Sequence, residues 1–110
     1  MAFHFDIVKK IGFILSTILL VGCVTVSSLQ PKESELAVMQ QKVPGITLEE
    51  TQQGFKLYKF NCAGCHYLHK PNAYTINGWQ KVLPEMLGKA KITSEKDAQL
   101  IKNYLFAKSK

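Results

Sequence analysis

Cys62-Ala63-Gly64-Cys65-His66 is the stretch on which the reading of this chain turns. Two thiols one helical turn apart can each form a thioether with one of the two vinyl groups of a haem, and the imidazole that follows then reaches the iron. On this reading Cys62 and Cys65 anchor one covalent haem c, and His66 is its proximal iron ligand. The same cysteine spacing also serves dithiol redox sites and half of a zinc site. A thioredoxin-like site needs a β-α-β setting and a zinc site needs a second ligand pair, and the chain supplies neither.

Working outward, Thr47 and Glu50 form a capping box that opens a helix through about Asn61. Along it Gly54, Tyr58 and Cys62 fall at i, i+4 and i+8, on one side. Downstream, Thr93 or Ser94 caps a last helix with Ala98, Ile101, Tyr104 and Leu105 along one face. These features resemble the class I cytochrome c family, whose N-terminal helix carries a glycine and an aromatic at those offsets before the first haem cysteine. The string Ile101-x-x-Tyr104-Leu105 is similar to that family's terminal helix. The resemblance covers residues 47–110. It implies an all-α core of about three helices around a single haem, with Gly54 letting the last helix cross closely.

The second axial position calls for another ligand if the iron is to pass electrons without rebinding water at each cycle. Of three methionines, Met1 belongs to the leader described below and Met39 precedes the haem motif by more than twenty residues. Met86 remains, on a segment where Trp79, Val82, Leu83 and Met86 follow helical spacing before a stop at Gly88. Small single-haem cytochromes have a similar tryptophan-to-methionine pattern. A methionine on an apolar helix face also serves simply as core, and Pro84 would kink that helix or split it in two. His69 is the other ligand candidate, but it lies three residues from His66 and is read as an exposed loop histidine. In the resembled family a carbonyl near the first proline after the motif accepts the Nδ1–H of the proximal histidine, which points to the neighbourhood of Pro71. Tyr74 and Trp79 are placed around the haem, where either could donate to a propionate.

The N-terminus has the layout of an export signal. Lys9 and Lys10 precede an apolar run over residues 11–21, too short to span a bilayer as a helix. Leu20-Val21-Gly22-Cys23 resembles the lipobox of bacterial lipoproteins, which implies cleavage after residue 22 and acylation of Cys23. Val24, where an aspartate would favour inner-membrane retention, leans the resemblance towards the outer membrane of a two-membrane envelope. Residues 23–46 are mixed and polar and are assigned as a flexible tether. Leu36, Met39 and Gln40 have helical spacing, but a tether is the reading adopted. The domain order is therefore 1–22 signal peptide, 23–46 acylated cysteine and tether, and 47–110 cytochrome domain.

All fourteen basic residues are lysines, against eight acids, for a net charge of +6. Without arginine, and with no basic run interleaved with aromatics, nucleic acid is not an expected partner. A lysine-ringed haem edge drawn from Lys56, Lys59, Lys70 and Lys81 would suit an acidic redox protein. The expected function is single-electron transfer at the periplasmic face of the cell envelope, by a lipid-anchored protein that transforms no small-molecule substrate and is not an enzyme. Other readings stay open. An unligated sixth site would suit a gas or redox sensor, or a peroxidase if distal acid–base groups were present. The chain could also be a haem subunit of a larger oxidoreductase complex.

Overall fold

Thr47 opens the first long helix as its sequence predicts. Its Oγ1 accepts from the Glu50 amide at 3.1 Å, and the Glu50 carboxylate accepts from the Thr47 amide at 3.0 Å. The computed structural model describes residues 29–63 and 68–110. The leader, Cys23, Cys65 and His66 lie outside the described residues. Four α-helices follow one another: α1 Leu36–Lys42, α2 Leu48–Cys62, α3 Ile76–Lys89 and α4 Glu95–Ala107. Single 3₁₀ turns at Glu33–Glu35 and Pro71–Ala73 precede α1 and α3. Among the described residues the fold is all-α, as expected, and the helical spacing of Leu36, Met39 and Gln40 is realised in α1, in place of the tether adopted.

The central contact is the crossing of α2 and α4. A Cβ placed on Gly54 would lie 2.2 Å from the Leu100 carbonyl oxygen and 2.7 Å from the Cβ of Tyr104. Only a residue without a side chain lets the two backbones approach so closely. Phe55, Tyr58, Trp79, Leu83, Ile101, Tyr104, Leu105 and Phe106 fill the space around this crossing. The Phe55 and Tyr58 rings lie 5.7 and 5.8 Å from that of Tyr104, tilted as aromatic quadrupoles prefer.

Helix α3 starts at Thr75, whose Oγ1 accepts from the Gly78 amide at 3.1 Å. It runs through Pro84 as one element, so the proline does not divide it. Nor does it stop at Gly88. The left-handed residue that ends it is Lys91, with φ 56°. Lys91 N–H donates to Gly88 O and Ile92 N–H to Leu87 O, each at 3.1 Å, which is the Schellman pattern with a lysine where glycine is usual. Helix α4 is capped by Ser94, whose Oγ accepts from the Asp97 amide.

The tether assignment for residues 23–46 does not hold over 29–46. This segment packs on the far side of α4, where Met39, Ile46 and Ala107 form a second small core. Polar ties reinforce it. Tyr104 Oη donates to the Leu29 carbonyl at 2.9 Å, Lys108 Nζ reaches both Glu35 oxygens at 3.0 Å, and Lys42 Nζ donates to the Ser109 carbonyl. Burial alone would raise the Glu35 carboxyl. The Lys108 hydrogen bond, the Lys32 amide and both lysine charges outweigh it and hold the group below its ordinary range. The physical reason for the error is that α4 is amphipathic on two sides. Ala107 is buried beyond the predicted face, covered by Met39 and Ile46, while Phe106 joins the main core. Replacing Met39, which is 2 % exposed, by alanine therefore costs about 2–5 kcal/mol in a thermal or urea melt. A free tether would show no change.

Candidate functional site

Cys62 is the last residue of α2 and half-buried, and burial pushes its thiol above the usual range. One turn earlier, Tyr58 is fully buried and donates its hydroxyl to the His69 carbonyl at 2.7 Å. Burial, with smaller effects from Cys62 and Tyr74, holds this phenol well above its ordinary value, so it remains a donor throughout the physiological range. The haem motif thus lies inside a segment whose two ends, Tyr58 and His69, are hydrogen-bonded to each other.

A second bond fixes the returning chain. Trp79 is fully buried on α3 and its Nε1–H donates to the Pro71 carbonyl at 2.7 Å. Tyr74 packs edge-on between the Trp79 ring at 4.8 Å and the His69 ring at 6.1 Å. The Lys110 amide donates to the Tyr74 carbonyl at 3.0 Å. The chain following the motif is therefore held to α2, to α3 and to the residues after α4.

These bonds bear on three expectations. Trp79 is a core residue whose single donor is taken up by Pro71, so it is not free for a propionate. The Pro71 carbonyl, in the neighbourhood where an acceptor for the proximal histidine is expected, accepts from Trp79; the histidine itself lies outside the described residues. His69 lies in a loop as expected, but half-buried against Tyr74 rather than exposed. Sequence spacing identified Tyr58 and Trp79 as important aromatics, but nothing in the spacing marks which carbonyl a phenol or an indole will find.

Met86 is half-buried on α3 and packs against the same core as Cys62, as do Leu57, Leu68 and Val82. A haem fits this donor set. There is a thiol at a helix end, and partly covered apolar side chains suit a porphyrin face. There is also a thioether on a separate helix. Met39, by contrast, is enclosed with Ile46 and Ala107 in the second core.

The family described as dihaem cytochrome c matches residues 58–110, just under half of the chain. No curated protein and no solved structure matches. The matched stretch begins at Tyr58 and contains the haem motif, the chain held by Tyr58 and Trp79, α3 and α4. The family is a dihaem one, where the sequence resemblance pointed to the single-haem class, and the chain has one C-x-x-C-H string. Motif and match together support a c-type cytochrome whose chemistry is haem-based electron transfer.

Proposed function

We propose that the chain is a lipid-anchored electron carrier with one haem c, attached at Cys62 and Cys65 and ligated by His66 and Met86. Its electrons pass to and from redox proteins at the periplasmic face of the envelope, and it turns over no substrate of its own. The observation that carries this reading is the division of the methionines. Met39 is sealed in a separate core, and Met86 stands half-covered on α3, against the same core as Cys62. When bound, the haem supplies a one-electron couple, and methionine opposite histidine favours its reduced state. The chain's own part is to hold geometry. Tyr58 and Trp79 hold the main chain at His69 and Pro71, just beyond the haem motif. The buried aromatics around them keep water from that side.

The test is the ferric absorption spectrum of the holoprotein and of Met86→Ala. The wild type is expected to be low-spin with the weak far-red methionine-to-iron band, and the variant to lose that band and bind CO when reduced. A wild type already high-spin would overturn the ligand assignment and favour a sensor. A second reading draws on the dihaem match. A chain with one haem motif could supply one haem of a larger oxidoreductase complex, and haem counted per chain after co-purification separates the two.

A further inference from the structure

Between the 29–46 segment and the Pro71–Ala73 turn lies an open groove of about 590 Å³. Leu29 and Val38 line its apolar part, with Lys42, Lys70 and Lys108 around them. Lys108 is neutralised by Glu35. Lys42 donates to a neutral carbonyl, that of Ser109, and Lys70 is exposed, so two positive charges face this groove without a carboxylate on them. Val38 is 55 % exposed, one of two large apolar side chains so open among the described residues.

The position of this groove along the chain gives it a neighbour. The Leu29 carbonyl is pinned by Tyr104, and Leu29 is the sixth residue after Cys23. Six residues fully extended span about 20 Å. An acyl chain on Cys23 would therefore keep the groove's Leu29 edge at most about 20 Å from the headgroups, so that its lysines can come within the screening length of about 8 Å at physiological salt. A folded protein partner does not fit into such a gap, whereas a lipid surface already occupies it.

We propose that this groove is the face the domain lays against an anionic lipid bilayer, with Lys42 and Lys70 on the headgroups and Val38 at the interface. The proposal rests on the lipid-anchor reading above. Individually weak contacts suffice, because the short leash makes binding intramolecular. Docked this way, the domain is oriented rather than free to tumble.

Full-length acylated holoprotein reconstituted into vesicles, with either phosphatidylglycerol or only phosphatidylcholine, is treated with an amine-reactive reagent, and each lysine is read by mass spectrometry. Lys42 and Lys70 should be modified roughly fivefold less on the anionic vesicles, with the difference removed by high salt, as a screened interaction requires. Lys56, Lys59 and Lys96 should react equally on both. The Lys70→Glu variant should restore reactivity at Lys42. Equal reactivity of Lys42 and Lys70 on the two vesicles would overturn the proposed face while leaving the anchor intact. An intact mass without acyl groups on Cys23 would overturn the anchor, and the docking with it.

Discussion

Gly54→Ala should lower the stability of the holoprotein by about 3 kcal/mol or more, the upper part of the range for overpacking. For a domain of this size that is a fall in Tm of about 12 °C or more. The reason lies in what the new methyl meets. The atoms at 2.2 and 3.0 Å are the carbonyl oxygen and carbon of Leu100, and the one at 2.7 Å is the Cβ of Tyr104. None is the end of a flexible side chain, so relief requires α2 and α4 to separate. Separation opens the Phe55–Tyr104 and Tyr58–Tyr104 contacts. Gly88→Ala is the control. A Cβ there meets nothing within 4 Å, near the end of α3, and the substitution should stabilise by about 0.5–1 kcal/mol through reduced backbone entropy. Thermal melts followed by far-ultraviolet circular dichroism decide both. Equal melting of Gly54→Ala and wild type would mean that the helices do not cross as closely as described.

The second large effect belongs to Trp79. Trp79→Ala removes the largest fully buried side chain and should cost about 3–5 kcal/mol. Trp79→Phe separates packing from hydrogen bonding. It keeps an aromatic against Tyr74 and Tyr58 but leaves the Pro71 carbonyl without its donor, at about 1–3 kcal/mol for an unsatisfied buried group. Because Pro71 lies five residues after His66, the phenylalanine variant should also disturb the iron. The expected sign is a weakened far-red band and a shifted reduction potential at unchanged haem content. A variant that loses stability with spectrum and potential intact would show that the Trp79 bond supports the fold alone and does not position the haem ligand.

Helix positions were largely legible because each carried a local signal. The capping box of Thr47 and Glu50, the apolar spacing of Ile101, Tyr104 and Leu105, and the glycine before the motif all act within one or two turns. What escaped depends on distant partners. Residues 29–46 read as a tether because Met39 and Ile46 are separated by polar residues, and their burial follows from Ala107, more than sixty residues on. The end of α3 misled for another reason. Gly88 is the usual residue for a helix stop, yet the left-handed position fell to Lys91, where the carbonyls of Leu87 and Gly88 find donors in Ile92 and Lys91. At the site, the haem motif and the methionine candidate could be read from residue type. The bonds from Tyr58 to His69 and from Trp79 to Pro71 could not, since main-chain carbonyls have no residue code.

The ties between residues 29–46 and the residues around 104–110 also set an order of events during synthesis. A chain that emerges from its N-terminus presents Leu29, Glu35 and Lys42 early, yet their partners Tyr104, Lys108 and Ser109 lie 75, 73 and 67 positions later. Until those partners appear, Met39 has no core to enter and α2 has no helix to cross at Gly54. Cys62, at the end of α2, is likewise without the core it packs against until α4 has been made. Closure follows when Lys110 meets Tyr74 and locks the loop from behind.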